Sequence, residues 1–372
     1  MKKHIFIFLL GASCFAGHAQ VFSDRDNLQS QKDSATKAKA NEYPYLLPIL
    51  GKKATAAGFN LPYSAGIGVN YLYQKSDLII NNLEIGFNNG PKTNMDNIVL
   101  FNNATATSNG INIRPDIWVL PFLNVYGIFA RSHSATAIDV NIQLPTEPGV
   151  PGSGMTTIGT FQTKAEFEGT TTGFGFTPTM GVKGCWMAFD MNFTWTDIPQ
   201  LEKPAFIYIF GPRVGKAFKL KNEQTLAFWA GGFRVKMSST TAGSIPIGDL
   251  INTEGLQEKV DNGYASIETK QQELDTWWST VDQSDPRNIK EKEIYDTKIE
   301  KATTLLDGFS GAVNNVENST VQYSLSKKPK EMWNFLVGGQ YQYNKHWMLR
   351  AECGFLGART QVIAGVQYRF GL

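Results

Sequence analysis

The last twelve residues, "QVIAGVQYRFGL", alternate in character. Apolar or aromatic side chains fill the even positions from Val362 to Leu372, apart from the small Ala364, and polar ones recur between them at Gln361, Gln367 and Arg369. Such a period of two is typical of a β-strand with one apolar and one polar face. In a soluble β-sandwich the apolar face covers a core, whereas in a membrane barrel it faces lipid and the polar face lines the lumen. The alternation therefore limits the chain to these two kinds of all-β fold.

The same alternation recurs through most of the chain. Its predicted strands lie near residues 65–74, 78–87, 97–106, 111–119, 122–142, 174–180, 187–195, 206–218, 227–237, 333–343, 347–355 and 362–372. Large aromatic residues occupy the apolar phase of almost every run. That composition favours a barrel with aromatic girdles over a sandwich. The sequence therefore predicts an all-β, antiparallel, up-and-down transmembrane β-barrel of about 12 strands.

Short and long connections alternate between the predicted strands. Short ones fall at residues 120–121, 182–184, 220–224 and 344–345, and long ones at about 144–167, 196–204 and 238–330. Outer-membrane barrels have short periplasmic turns and longer extracellular loops. Counting back from the C-terminus places every short connection on the periplasmic side, and this order is the main support for the barrel.

The N-terminus predicts export. Lys2 and Lys3 precede the apolar run "IFIFLLGASCFAG" and the small residues around Ala19, which together form a cleavable signal peptide at 1–19. We expect a periplasmic N-terminal segment at 20–62, in which "YPYLLPILGKK" docks under the barrel, and the barrel itself over 63–372. The formal charge of +2 comes from the two leader lysines, and the chain has no basic tract, so nucleic acid is not an expected partner.

The chain resembles a Gram-negative outer-membrane β-barrel of Bacteroidetes type. The resemblance rests on the leader, the alternating strands over roughly 64–238 and 331–372, and the final "GVQYRFGL". That last strand is similar to the C-terminal signal read by the barrel-assembly machinery, with Tyr368, Phe370 and Leu372 as the signal residues. The signal usually ends on an aromatic residue, whereas here Gly371 and Leu372 follow Phe370. The resemblance implies an outer-membrane location and a lipid environment, but no functional subfamily.

The polar phases of the strands predict charged groups inside the lumen. These are Arg114, Asp116, Asp190, Arg213, Arg234, Lys236, Arg350, Glu352 and Arg369, six cations against three anions. Such charges line a narrow channel for small polar or anionic solutes, or they pair and fill a closed interior. Alternation predicts the facing of these side chains and leaves both interpretations open.

Residues 250–318 break the strand pattern. Apolar residues recur every three or four positions on both sides of "DQSDPRN", where Pro286 suits the first turn of a second helix. The sequence thus predicts an extracellular helical hairpin, which is a surface loop, an arm that binds an extracellular protein partner, or a lid folded over the mouth. Trp277 and Trp278 are the candidate contacts, because only Trp278 fits the apolar stripe and its neighbour should be exposed.

No catalytic or cofactor signature is present. His133 lies between Ser132 and Ser134, but adjacent strand residues point to opposite faces, so an outer-membrane lipid-modifying enzyme is the least favoured alternative. Cys185 and Cys353 lie on apolar phases and are expected to be unpaired, and no metal site or cofactor is expected. The two leading functions are a solute pore and a closed barrel that anchors the hairpin.

Overall fold

A computed structural model of the chain describes residues 43–57, 59, 61–150, 153–182, 184–199, 201–221, 223–237, 240–250, 255–316 and 318–372. The predicted signal peptide and the first part of the periplasmic segment lie outside these residues. The described strands are β1 (Ala65–Phe87), β2 (Thr93–Asn94), β3 (Val99–Leu120), β4 (Leu123–Pro145), β5 (Met155–Val182), β6 (Cys185–Asp197), β7 (Ala205–Lys219), β8 (Thr225–Met237), β9 (Thr240–Pro246), β10 (Thr320–Pro329), β11 (Trp333–Gln342), β12 (Trp347–Phe355) and β13 (Arg359–Phe370). The helices are α1 (Gly51–Ala56), α2 (Ile247–Leu250), α3 (Leu256–Thr280) and α4 (Pro286–Val313).

Ten strands close into an antiparallel barrel. The order runs from β13 through β12, β11, β8, β7, β6, β5, β4 and β3 to β1, and β1 pairs back onto β13 over Ala65–Ser76. Closure pairs the backbone groups that an edge strand would expose. The three remaining strands, β2, β9 and β10, extend the sheet beyond the barrel.

The prediction of about twelve barrel strands is wrong because two pairs of predicted strands are single strands. The runs at 65–74 and 78–87 are both parts of β1, and those at 97–106 and 111–119 are both parts of β3. Each strand leaves the barrel and continues into a second environment. The predicted long connection at about 144–167 is likewise mostly strand, since β4 ends at Pro145 and β5 begins at Met155.

Both chain ends of the barrel meet at one rim, here called the terminal end. It holds the start of β1, the end of β13 and the turns β3–β4, β5–β6, β7–β8 and β11–β12. The opposite rim, the far end, holds the longer connections, although the β12–β13 turn at 356–358 is also short. The backbone N–H groups of Leu46 and Leu47 donate to Leu372 O, and Ile49 N donates to Val119 O. Residues 46–49 therefore dock against the terminal end.

The outer surface of the barrel is an apolar belt. Exposed large apolar side chains lie on all ten barrel strands: Ile67, Val69, Tyr71, Tyr73, Ile111, Ile113, Phe129, Phe174, Met180, Trp195, Val214, Phe218, Phe228, Trp333, Phe335, Val337, Trp347, Leu349, Phe355, Val362, Val366 and Tyr368. Where the belt ends toward the far end, the outer surface carries charged pairs such as Arg131 with Glu168. This is the distribution that a lipid-facing barrel requires.

Beyond the belt the structure continues as a second unit, here called the head. It consists of β2, β9, β10, the far halves of β1 and β3–β5, and helices α2–α4. Inside the head a continuous apolar core joins the helices to the sheet, with Leu256, Val260, Leu274, Ile299 and Leu306 from the helices packed near Ile142, Leu144 and Phe161. The hairpin is thus packed against the strands and does not project as a free arm.

The helices cover the inner face of the head's sheet. On β4, Asn124 and Tyr126 lie in the lumen, and the same even phase continues to Val140, Ile142 and Leu144 under the helices. Bulges in β1 and β3 bring Leu83 and Val99 to this same face. The hairpin therefore lies over the side of the sheet that is continuous with the barrel lumen.

Candidate functional site

The lumen near the terminal end is crossed by paired charges. Arg213 on β7 donates from Nε and Nη2 to the two oxygens of Glu352 on β12, each at 2.9 Å, and its Nη1 pairs with Asp190 on β6. Two strands separate β7 from β12 in the barrel, so the first of these pairs bridges the lumen. Arg350 adds a second cation at 3.1 Å from Glu352.

A second pair lies on the opposite wall. Arg369 Nη2 is 3.2 Å from Asp116 Oδ2, and Asn124 donates to the same carboxylate oxygen at 2.8 Å. Gln367 donates to the other oxygen of Asp116. Arg369 also donates from Nε and Nη2 to Tyr63 O at 3.1 and 2.9 Å, which ties the lumen to the segment that precedes β1. We call Asp116, Asp190, Arg213, Arg350, Glu352 and Arg369 together the ion-pair plug.

The plug is closely packed by aromatic and polar neighbours. Trp229 donates from its indole N–H to Glu352 at 3.0 Å, and its register partner Gly338 leaves room for the ring, because a Cβ there would overlap the indole. Tyr126 donates to Asn192 at 2.6 Å and lies under the Arg114 guanidinium at 3.3 Å from the ring centroid. The side chains of Arg213, Asp190 and Glu352 are only 10%, 10% and 3% exposed, so little water reaches them.

Seven of the nine predicted lumen charges lie inside the barrel. They are the six residues of the plug and Arg114. The structure places the other two, Arg234 and Lys236, on the outer face, so their predicted lumen position is wrong. Arg234 is paired in register with the exposed Trp333, and Trp229, Phe233 and Val235 turn inward in their place. The lumen therefore has an apolar wall at β8, and the excess of cations is smaller than predicted.

Hydroxyl groups line the middle of the lumen, on the head side of the plug. Ser134 donates to Ser108 at 2.8 Å, and Thr171 and Thr196 share a hydrogen bond at 2.8 Å. All four side chains are half-buried, unlike those of the plug. The lumen is therefore dense at the terminal end and less closely filled above it.

The hairpin tryptophans are both half-buried. Trp277 packs on the core of the head and against Gly149. The centre of the Trp278 ring lies 5.8 Å from Lys292 Nζ. The expected exposed tryptophan is absent here, and Trp277 rather than Trp278 continues the buried stripe from Leu274. A shallow cleft of about 490 Å³ lies beside Trp277, between α3 and the β4–β5 loop.

Tyrosines fasten the two helices. Tyr264 on α3 donates to Asp307 on α4 at 2.6 Å, and Tyr295 on α4 donates to Pro145 O on β4 at 2.9 Å. Burial together with the Asp307 hydrogen bond raises the pKa of Tyr264 to about 12. Burial, with a smaller effect of Glu273, raises the pKa of Tyr295 to about 12. Both phenols therefore stay protonated donors over the whole neutral range.

The predicted assembly residues end the strand that closes the barrel. Tyr368 faces outward beside Trp347, with 5.0 Å between ring centroids, and Phe370 pairs in register with Ala65. Leu372 donates its N–H to Ser64 Oγ at 2.9 Å. The C-terminal residues thus complete the seam between β13 and β1.

The remaining sequence candidates are dispersed. His133 lies on the outer face at 3.8 Å from Glu166, and Ser134 turns to the lumen. Cys185 and Cys353 are both free and exposed. Within the described ranges no group of three His, Cys, Asp or Glu side chains is arranged to hold a metal ion. No helix in this part of the chain combines the length and the apolar character needed to cross a membrane.

Comparison with known proteins gives structural matches of low sequence identity, such as the three that follow. No protein-family model and no curated protein matches the sequence. The β domain of the Bordetella autotransporter BrkA is 8% identical, with 82% of this chain and 100% of that chain covered at a TM-score of 0.33. The translocator domain of autotransporter NalP from Neisseria meningitidis is 9% identical, with coverage of 82% and 88% and a TM-score of 0.30. A Pseudomonas aeruginosa FadL homologue is 8% identical, with coverage of 85% and 94% and a TM-score of 0.26. TM-scores this low support no inference about this chain, so its function has to be inferred from its own strand pairing, burial and charges.

Proposed function

We propose that this protein is an outer-membrane β-barrel whose lumen is closed and which carries the head at the cell surface as a binding or structural module. The observation that carries the proposal is the ion-pair plug. An open aqueous pore leaves its lining side chains wet, but Arg213, Asp190 and Glu352 are each at most 10% exposed. The barrel then serves as an anchor rather than as a channel.

The apolar belt supports the membrane location. It surrounds all ten strands of a closed barrel, and closed barrels and helices are the structures that satisfy their backbone groups inside lipid. A soluble protein would have to leave that whole belt in water. The belt also explains why the large aromatic side chains of β11–β13 point away from the lumen.

The connections support the orientation. The terminal end carries four short turns, and the head is built from the far ends of the strands. Outer-membrane barrels place their short turns in the periplasm. The same orientation puts residues 46–49 in the periplasm and the α3–α4 turn at 281–285 outside the cell.

The cleft beside Trp277 is the surface that we assign to a protein partner. Glu147, Pro148, Glu273 and Trp277 line it, and aromatic side chains are enriched among the residues that dominate protein interfaces. Lys270 ties its two walls together by donating to Thr146 O and to Glu273, at 2.8 and 2.7 Å. The cleft is therefore fixed in shape before a partner arrives.

Surface labelling tests the proposed orientation. Ser284→Cys at the α3–α4 turn and Lys345→Cys at the β11–β12 turn would be made in a chain whose Cys185 and Cys353 are replaced by serine; both target residues are exposed. A membrane-impermeant maleimide should label Ser284→Cys on intact cells and Lys345→Cys only after lysis. Labelling of Lys345→Cys alone on intact cells would show that the orientation is the reverse of the one proposed. Labelling of neither variant on intact cells would contradict the proposal that the head lies at the cell surface.

A pore for small polar or anionic solutes is the second candidate. The half-buried hydroxyl groups of Ser108, Ser134 and Thr171 favour it, because they show that the middle of the lumen is less densely filled than the plug. Passage would then require the ion pairs of Arg213 to separate. Conductance distinguishes this candidate from the anchor.

A further inference from the structure

The middle of the lumen contains cationic side chains, but none of its described inward-facing residues is a carboxylate. Here it is defined as the inward-facing residues from Leu72 to Ile80 of β1 and their neighbours on the other strands, between the plug and the hairpin. By strand register, the described inward positions at this level include Asn, Gln, Ser and Thr but no Asp or Glu. The inward carboxylates Asp116, Asp190 and Glu352 all belong to the plug, where arginines already pair with them.

Arg359 is the first cation of this region. It begins β13 opposite the lumen-facing Ser76, is 4% exposed, and its guanidinium lies 5.6 Å from the Phe233 ring centroid. Its Nε is 3.4 Å from Ser76 Oγ, which is a long hydrogen bond. Its Nη1 is buried and has no hydrogen-bond partner among the described residues. A buried guanidinium therefore faces the lumen with part of its donor capacity unused.

Lys327 is the second cation. It pairs in register with Ile80 on β1, four residues along the strand from Ser76, so its side chain lies on the same inner face as Arg359. It is half-buried, and no ion pair among the described residues includes it. Burial alone lowers the pKa of the Lys327 ammonium. The two cations thus share one region at the junction of barrel and head.

An isolated buried charge is costly unless an opposite charge or several hydrogen bonds compensate it. The plug shows how this chain compensates Arg213, with two carboxylates, and Arg369, with one. Arg359 has one long hydrogen bond and an aromatic ring instead. A guanidinium fork matches the oxygens of a carboxylate or a phosphate, which can accept two parallel hydrogen bonds from it.

We propose that the middle of the lumen is a binding site for an oxoanion, a carboxylate or phosphate group, held by Arg359 with Lys327 as the second cation. The plug closes the site on one side and the hairpin covers it on the other. A solute from outside would reach the site between β9 and the far half of β5, which are not hydrogen-bonded to each other, past the bridge of Leu201 to Gly243. This site goes beyond the anchor function and does not depend on conduction.

Equilibrium dialysis of the full chain in non-ionic detergent at low salt tests the site. The probes are radiolabelled inorganic phosphate and, separately, radiolabelled acetate. Wild-type protein should bind at least one of them saturably, and Arg359→Gln should bind it about tenfold more weakly or worse, because a hydrogen bond to a charged group is lost. Lys327→Gln should show a smaller loss. Arg234→Gln is the matched control, since Arg234 lies on the outer face, and it should bind like the wild type.

A third probe distinguishes a free anion from a lipid headgroup. If neither small anion binds, but micelles that contain phosphatidylglycerol raise the melting temperature of the wild type and not of Arg359→Gln, the site takes a lipid phosphate. Equal binding by all variants, or no effect of any of the three probes, would overturn the proposal. Water would then be the group that hydrates Arg359. A large loss of heat stability of Arg359→Gln in anion-free buffer would also overturn it, because it would reveal a compensating partner within the chain.

Discussion

At the scale of single residues, two kinds of ion pair differ by their surroundings. Arg213 and Glu352 meet inside the barrel, where loss of one partner leaves a desolvated charge. Arg131 and Glu168 meet at the same kind of distance on the outer surface, with side chains that are 80% and 65% exposed. Exposed pairs contribute little to stability because water and salt screen them. Loss of one partner should therefore cost far more at the lumen pair than at the surface pair.

We predict that Glu352→Ala lowers the free energy of unfolding by about 3–5 kcal/mol, the usual cost of breaking a buried pair from one side. Glu352→Gln should cost less, since an amide oxygen can still accept from Arg213 or Trp229. The measurement is urea unfolding in lipid vesicles, with Glu168→Ala as the surface control that should leave the midpoint unchanged. Equal midpoints for Glu352→Ala and Glu168→Ala would show that the pair does not hold the lumen together.

At the scale of elements, the long strands change the side on which they bury apolar groups. On β4, Phe129 faces outward in the belt, whereas Ile142 and Leu144 face inward under the helices. The proposed membrane location accounts for this change, because lipid would surround the half of the strand nearer the terminal end and water the half in the head. Within the predicted strand at 122–142, the apolar side chains accordingly move from the odd position of Phe129 to the even positions of Val140 and Ile142.

This change explains which parts of the fold could be predicted. The belt strands β11–β13 are predictable because their outer face is apolar along almost their whole length. The helical hairpin is predictable because its buried side chains recur every three or four residues. The count of strands is not, since polar or small residues at 75–77 and 107–110 divide each of β1 and β3 into two apolar runs. Strand β8 shows a second limit. Alternation separates two faces, but it does not say that Phe233 faces an apolar part of the lumen and Arg234 faces outward.

The site was partly predictable for the same reason. Seven lumen charges follow from alternation on strands whose outer face is apolar or aromatic. Arg359 was missed because it begins β13 directly after a turn, outside the predicted strand at 362–372. Lys327 lies on β10, in a segment that was expected to be loop. For Arg359 the available signal was its place on the odd phase that it shares with Gln361, Gln367 and Arg369. Lys327 is recognised only by its register with Ile80 on β1.

A mutation in the helical hairpin should destabilise the head without destabilising the barrel. Leu274 on α3 is fully buried in the core of the head, so we predict that Leu274→Ala costs the head about 2–5 kcal/mol through the cavity that it leaves. Hydrogen exchange should then rise in α3 and α4 while the strands of the belt stay protected. Gln272→Ala, at an exposed position of the same helix, is the control. An equal rise of exchange in β11–β13 would show instead that head and barrel unfold as one unit.

At the scale of the whole molecule, the chain forms a closed barrel with a covered head. One sheet serves both parts, since β1 and β3–β5 run from the terminal end through the belt into the head. The plug fills the lumen at one end, and the hairpin packs on the inner face at the other. Such an arrangement suits a membrane anchor that holds the head in a fixed orientation.

Conductance in a planar bilayer tests whether the plug closes the lumen. With a closed lumen the wild-type protein should insert, as shown by protease protection of the belt strands, and should produce no discrete current steps. Glu352→Ala is the comparison variant, because it removes a carboxylate that bridges the lumen and should introduce steps. Discrete steps from the wild-type protein, with a reversal potential set by one ion under a salt gradient, would contradict the closed lumen and establish a pore.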